Sequence, residues 1–450
     1  MRFKTIRIGS GVFLGSSAAF ALIVAAACSA GPPKKELTTV ATSTSTGGTD
    51  AAGGNTSTNT TGAGGFLPTG SGGMGGSVIP CENPADDADF DKDGYTITAG
   101  DCNDCDANVN PGAVEAPTKK GEMPFDEDCD KEVDEQGDVV SCDDDLVVDE
   151  ADPAVAAKAV GICKVSTGVK DWGLVSAKWV MPDGTLPPVD AQDATNFHLG
   201  HGVLTAFGNV VKVREGKRML ALSSGTARQP LDPGYKSPQG FSKGISSGHP
   251  VGFPKESPAC PGTITGEPND GAGIELELRA PTNAHGIGFE FDFFTYEWPN
   301  YVCSMFNDFF VALLEPFPPK QQDGNISFDA MGNPISVNNA FLDVCGCEGN
   351  PPQPCEAGGK FFNCALGNAE LLGTGFGFDA GGSFAVDHGS TSWLSSQAPI
   401  PASGQKDSVI KLRWGVYDSG DGALDTTTLI DKFRWILEAG VPVVTEPVPR

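Results

Sequence analysis

Between Cys81 and Asp152 the chain carries 25 Asp and Glu against four Lys (Lys92, Lys119, Lys120 and Lys131) and no Arg. Such a density of like charge repels itself and stays unfolded unless positive charge sits among the acids. The segment supplies little of its own, so a metal ion is the expected counter-charge. The same segment holds most of the formal net charge of -28. That balance excludes nucleic acid as a partner, because phosphates need Lys and Arg.

The acids are patterned. Asp89, Asp91 and Asp93 alternate and are followed by Gly94 and Tyr95. Spacing by two in a tight turn points successive carboxylates at one centre, Gly94 permits the bend, and the Tyr95 carbonyl becomes the next ligand. An EF-hand would place a bidentate Glu at the twelfth position, but here that residue is Gly100, and no flanking helices are apparent. Asp101, Asn103, Asp104 and Asp106 then complete the first site or build a neighbouring one. A hard oxygen set suits calcium (Ca2+) as the cofactor, with a dissociation constant on the order of 10⁻⁴–10⁻³ M for an extracellular module. Copper prefers His, Met or thiolate, and the segment has no His and only Met123.

The N-terminus places Arg2, Lys4 and Arg7 before an apolar run that ends in small residues at Cys28, the form of an export signal over residues 1–27. Ala25-Ala26-Ala27-Cys28 resembles the bacterial lipobox, with Ala25 where Leu is usual, which implies lipidation of Cys28. Residues 28–80 are rich in Ser, Thr, Gly and Ala and should form a disordered linker, since they bury too little to offset the entropy of ordering. Twelve further cysteines divide evenly. Cys81, Cys102, Cys105, Cys129, Cys142 and Cys163 lie in the acidic half; Cys260, Cys303, Cys345, Cys347, Cys355 and Cys364 lie in the other. In an exported chain these read as disulfides within each half, with connectivity open. The plan is an acidic metal-binding module over 81–150, a large β domain over 151–440 and a C-terminal tail over 441–450.

The β domain declares itself by alternation. Gly273 to Pro281, Gly286 to Trp298, Phe306 to Leu314 and Ser408 to Asp418 set large apolar residues two apart, with Gly, Pro, Asn and Asp clusters between them. Phe289, Phe291 and Phe293 should share one face, as should Ile410, Leu412, Trp414 and Val416. No long segment of helical period competes. The expected fold is all-β, a sandwich or jelly-roll in which two half-apolar sheets cover each other, preceded by a small disulfide-rich calcium-loop module.

The stretch DFDKDGYTITAGDCNDCDANVNPGAVE, followed by FDEDCDKEVDE, resembles the MopE-like metal-binding motif family, named after a copper-binding bacterial outer-membrane protein. It departs at Lys131, where that family has Gly, and Cys105 is extra. The motif is also similar to the calcium-loaded repeats of thrombospondins. From Phe289 to Leu314, FEFDFFTYEWPNYVCSMFNDFFVALL, and again in LRWGVYDSGDGALDTTTLIDKFRW, the chain resembles the choice-of-anchor L domain of exported bacterial proteins. That resemblance spans roughly Asn196 to Glu438, with Leu220 to Gly225 as its early landmark, and implies a β-sandwich on a surface-attached protein with no established reaction.

Glu297, Asp308, Asp418, Asp421 and Asp425 fall at strand ends, where they form either a second metal site or simple turns. His198 and His201 form a weak metal pair. Cys345, Cys347, Cys355 and Cys364 suit disulfides better than zinc after export. The expected function is an exported, surface-anchored calcium-binding protein, on the outer membrane or cell surface, acting as an adhesion or binding module. Its partner is a polysaccharide or protein, and its only membrane contact is the lipid. A hydrolase of extracellular polymer and a copper-binding surface protein are the alternatives. Calcium would turn the repelling module into a rigid spacer. Mass spectrometry of the chain made in a lipoprotein-processing bacterium is expected to find an acylated N-terminus at Cys28, and Cys28→Ser to release the protein from the membrane fraction.

Overall fold

A computed structural model describes residues 87–118, 123–133, 142–346, 355–377, 388–401 and 409–450. The expected signal segment, Cys28, the linker, Cys81 and Cys347 lie outside the described residues. Val78–Arg450 is one compact unit that includes both the acidic module and the β domain. Among the described residues no helix is long and apolar enough to cross a membrane.

The described residues fold as strands with two short α-helices, α1 (Pro153–Ala156) and α2 (Ala191–Leu199). The strands are β1 (Gly173–Val180), β2 (His201–Leu204), β3 (Ala206–Phe207), β4 (Val211–Lys212), β5 (Met219–Ser223), β6 (Pro268–Arg279), β7 (Gly286–Thr295) and β8 (Phe309–Glu315). They continue with β9 (Val344–Cys345), β10 (Cys355–Ala357), β11 (Lys360–Phe362), β12 (Gly389–Ser390), β13 (Leu394–Pro399), β14 (Val409–Ser419), β15 (Thr426–Ile436) and β16 (Val444–Pro447). A four-stranded sheet runs β1-β6-β14-β8, and an eight-stranded sheet runs β16-β13-β7-β15-β5-β2, with β12 pairing with β7 and β9 pairing with β12. The pairings within both sheets are antiparallel. The fold is all-β and sandwich-like, as the alternation implies. Residues 441–450 are not a free tail: Val444–Pro447 pairs with β13 and extends the larger sheet.

The two sheets meet through the residues that the period of two selects. Phe289, Phe291 and Phe293 of β7 and Ile410, Leu412, Trp414 and Val416 of β14 lie in one core cluster. Across the interface Phe291 meets Phe310 of β8 with ring centroids 4.7 Å apart, and Phe289 meets Trp414 at 5.2 Å. Aromatic pairs at such separations add packing energy beyond the area they bury.

The outer faces are covered too, where one buried face was expected. On the far side of β7, Phe294 packs with Phe207, Val344 and Phe376, while Phe253, Phe309, Val311, Leu313 and Tyr417 form a layer outside the smaller sheet. Polar residues on these faces are buried and paired: Glu290 accepts from Arg214 Nε at 2.6 Å and Lys432 Nζ at 3.0 Å. A strand buried on both faces cannot be told from a one-sided strand by hydrophobic period alone when its second face carries paired acids.

The acidic module packs along the sandwich and is not a free-standing spacer. An uncharged stretch makes part of the contact, beside Asp143, which accepts from Lys217 N–H and Arg218 N–H, and Asp149, which accepts from Arg228 Nη2. Val114 N–H donates to Asn283 Oδ1 at 3.1 Å, Asn283 Nδ2 donates back to the Val114 carbonyl at 2.7 Å, and Trp172 Nε1 donates to the Ala113 carbonyl at 2.9 Å. Val109 and Ala113 are buried there. Disulfides join Cys102–Cys129, Cys142–Cys163, Cys260–Cys303 and Cys345–Cys364, all within the expected halves.

Phe291→Ala removes a ring at the centre of the sheet interface and should destabilise the chain by about 3–5 kcal/mol. Urea denaturation checks this, with the loss appearing in the midpoint at unchanged slope.

Candidate metal centre

In the segment Asp89 to Tyr95, each aspartate uses one oxygen to shape the loop. Gly94 N–H donates to Asp89 Oδ2 at 3.1 Å, Asp93 N–H to Asp91 Oδ1 at 3.2 Å, and Tyr95 N–H to Asp93 Oδ1 at 2.7 Å. These short side-chain to backbone bonds are what Asp favours in turns. They wind the chain through positive φ at Lys92 (69°) and at Gly94 (100°), where glycine carries no steric penalty. A single 3-10 turn, Ile97–Ala99, follows and ends at Gly100 with φ 102°. Here an EF-hand would begin its second helix. The turn instead sends the chain back, and Asp101 and Asp104 arrive beside the first three acids.

The result is convergence. One carboxylate oxygen from each of Asp91, Asp93 and Asp101 lies within 4.8 Å of the others, and the same holds for Asp89, Asp91 and Asp104. Oxygens bound to one calcium at about 2.3–2.6 Å must lie about this close together. Asp93, Asp101 and Asp104 are buried at 6%, 3% and 2% exposure. Asp89 Oδ1, Asp91 Oδ2, Asp93 Oδ2 and Asp101 Oδ2 are buried without a hydrogen-bond partner. These are the second oxygens of the residues whose first oxygens hold the turns. With no cation, burial and then mutual repulsion push Asp93 up to about 7, against the pull of the Tyr95 N–H, and raise Asp91 and Asp101.

Not every expected ligand joins this group. Asp106 is exposed and accepts from Asn108 N–H and Nδ2, so it caps its own turn. Asn103 gives its carbonyl to the N–H groups of Cys105 and Asp106. Tyr95 has a second duty: its hydroxyl donates to the Lys170 carbonyl, and Lys170 Nζ donates to the Gly94 carbonyl at 2.8 Å, which ties the loop to the sandwich.

Sequence reasoning missed a sister loop. Glu115, Asp126 and Asp128 also place one oxygen each within 4.8 Å of one another. Asp126, Asp128 and Asp130 repeat the alternation of Asp89, Asp91 and Asp93, and the bonds repeat with it. Lys131 N–H donates to Asp126 Oδ2 at 3.0 Å, Asp130 N–H to Asp128 Oδ1 at 3.1 Å, and Glu132 N–H to Asp130 Oδ1 at 2.7 Å. Cys129 (φ 62°) and Lys131 (φ 83°) stand where Lys92 and Gly94 stand in the first loop. Lys131 therefore keeps the turn that Gly supplies elsewhere, at a backbone cost of roughly 1–2 kcal/mol. The partner contact is copied as well: Phe90 N–H donates to Asp104 Oδ1 and Glu127 N–H to Glu115 Oε1, both at 2.8 Å. Cys102–Cys129 bonds the two loops together. The legible signal was the repeated D-x-D-x-D.

The strand-end acids of the β domain divide. Glu297, Asp308, Asp418 and Asp425 gather, fully buried, at one end of the sandwich, whereas Asp421 is exposed and accepts from Ala423 N–H. His198 and His201 do not form a metal pair: His198 Nε2 meets Asp149 Oδ1 at 2.8 Å and His201 stacks on Trp179 at 3.7 Å. Cys345 is bonded to Cys364, and Cys355 is also in a disulfide, so no thiolate of these three is left for zinc.

A cleft of about 930 Å³ lies where module and sandwich meet. Val114, Glu115, Ala116 and Pro117 form its module wall; Trp172, Phe433 and Trp435 supply aromatic surface, and Lys158, Glu215, Gln397, Arg434 and Glu438 supply polar groups.

Compared with protein-family models, curated proteins and solved structures, the chain matches none of them.

Calcium at about 10–100 times its dissociation constant should stabilise the chain by about 1.4–2.7 kcal/mol over the chelated form. Thermal unfolding with calcium or with a chelator measures the increment. Asp93→Asn and Asp101→Asn should each lose most of it, and an unfolding midpoint indifferent to chelation would rule the centre out.

Proposed function

We propose that the chain is an exported, surface-anchored binding protein whose acidic module is held in shape by calcium and whose ligand is an extracellular polysaccharide. The observation that carries this reading is the set of buried, unpartnered carboxylate oxygens of Asp89, Asp91, Asp93 and Asp101 converging in one loop. A hard divalent cation satisfies them all at once, and the carboxylate set selects calcium over softer metals. Copper is disfavoured by chemistry: the module has no His, Met123 is 88% exposed, and Cys102, Cys105 and Cys129 are in disulfides.

Calcium and ligand binding are linked through Glu115. This residue belongs to the sister carboxylate loop and also lines the cleft, so an ion that fixes the loop fixes one wall of the cleft. Aromatic surface bordered by acids, amides and Arg suits sugar rings, which offer an apolar face and hydroxyls around the edge. Binding is favoured over hydrolysis, because Glu297, Asp308, Asp418 and Asp425 are at most 2% exposed and out of reach of a polymer chain.

The test is a polysaccharide and protein array probed with the full chain, with calcium and with a chelator. Retention of an acidic or neutral polysaccharide that needs calcium, and that falls at least about tenfold in Trp435→Ala, is expected. Retention unaffected by chelator and by Trp435→Ala, or capture of protein alone, would refute the reading.

A further inference from the structure

The crossing from the smaller sheet to the larger one is made by the chain between β14 and β15, and acids stand at both ends of it. Asp418 lies near the end of β14 and Asp425 immediately before β15; Glu297 follows β7 and Asp308 immediately precedes β8. Thus two strands of each sheet bring a carboxylate to the same place. Their exposures are 1%, 1%, 2% and 0%.

Elsewhere in the sandwich buried acids are met on at least one oxygen, as Asp292 is by Ser390 Oγ although its Oδ2 is left without a partner. Glu275 accepts from Arg413 Nη2 at 2.6 Å and Nε at 3.0 Å. Asp270 accepts from Ser242 Oγ and from the N–H groups of Lys243 and Ile245 at 2.7–2.8 Å. Asp308 is partly served, by Ser419 N–H at 3.2 Å and Thr426 Oγ1 at 2.6 Å, and Glu297 Oε2 accepts a long bond of 3.4 Å from Asp308 N–H beside a carboxyl–carboxyl contact with Asp308. Asp418 and Asp425 differ from all of these. Both oxygens of each are buried with no hydrogen-bond partner. The Ser224 hydroxyl, which donates to the Thr426 carbonyl, and the Asp308 carboxyl stand within hydrogen-bonding reach of Asp418, whereas Asp425 has no such neighbour among the described residues. A buried carboxylate in this condition costs several kcal/mol unless a cation or a proton meets it.

Lys243 is the one nearby ammonium among the described residues. It is 1% exposed, faces Asp270, Asp425 and Asp418, and already donates to the Ser223 carbonyl at 2.8 Å. One positive charge does not offset four acids. The approach of the backbone is also specific: a Cβ on Gly225 would meet Asp425 Oδ2 at 1.7 Å, so the end of the Leu220 to Gly225 segment leaves room for this carboxylate and for nothing larger.

We propose that Asp308, Asp418 and Asp425, with Glu297 beside them, bind a divalent cation of the calcium type, which fastens the end of the four-stranded sheet to the end of the eight-stranded one. No three of these acids offer oxygens within 4.8 Å of one another as the module loops do, so binding requires their side chains to move together.

The experiment is metal analysis of the full chain after exhaustive chelation, re-equilibration with calcium and gel filtration. A variant with Asp91→Asn, Asp93→Asn, Asp126→Asn and Asp128→Asn, which disables both module loops, should still retain about one ion per chain. In the otherwise unaltered chain, Asp418→Asn and Asp425→Asn should each lose about one ion and part of the calcium-dependent rise in unfolding temperature. A module variant that retains no calcium, or Asp418 and Asp425 variants with the ion count of the parent, would overturn the proposal and assign the four acids to shared protons. If an Asp418 variant does not fold, the module variant and Asp425→Asn decide. The module's own calcium centre fails separately, by an ion count that its four substitutions leave unchanged.

Discussion

A buried carboxylate that gives one oxygen to the backbone still has a second to satisfy, and in the acidic module four aspartates reach that condition around one point. The first oxygens build the turns; the second ones are left buried and unpartnered at the centre. Shape and charge are thus one problem in this loop, because the bonds that aim the chain also concentrate the repulsion. A loop built this way needs no flanking helices. A single 3-10 turn and a left-handed glycine return Asp101 and Asp104 to the centre, and a disulfide binds the loop to a second copy of its own design.

The sandwich gives that module a fixed place. Two-way hydrogen bonding between Val114 and Asn283, and the grip of Lys170 on Gly94 and Tyr95, attach the module to it. The cleft exists only because of that attachment, since its walls come from both parts. Within the sandwich itself the same electrostatic question is answered in two ways. On the outer faces acids meet Arg and Lys, as Glu290 meets Arg214 and Lys432. At the sheet crossing the acids outnumber the one ammonium beside them.

The acid alternation was readable because Asp at every second position in a turn has few other physical uses, and Asp89, Asp91, Asp93, Asp101 and Asp104 do converge. Asp106 looked equivalent in the string, yet a local turn claimed it. Lys131 hid the second loop, since it stands where glycine marks the first, and only the backbone angle reveals that the turn persists. The four-acid end of the sandwich was visible as strand-end residues, but Asp421 belonged to the same list and faces solvent.

What the sequence determined by itself was local: the period of two that makes strands of 286–295 and 409–419, the alternate spacing of acids at 89–93, and the even division of cysteines. Each depends on neighbours a few residues apart, so it survives without knowledge of the fold. Tertiary structure alone decided which acids meet, that 444–447 closes the larger sheet, that both faces of β7 are covered, and that the module forms a cleft wall. Those outcomes turn on contacts between residues far apart in the chain, and no local period encodes them.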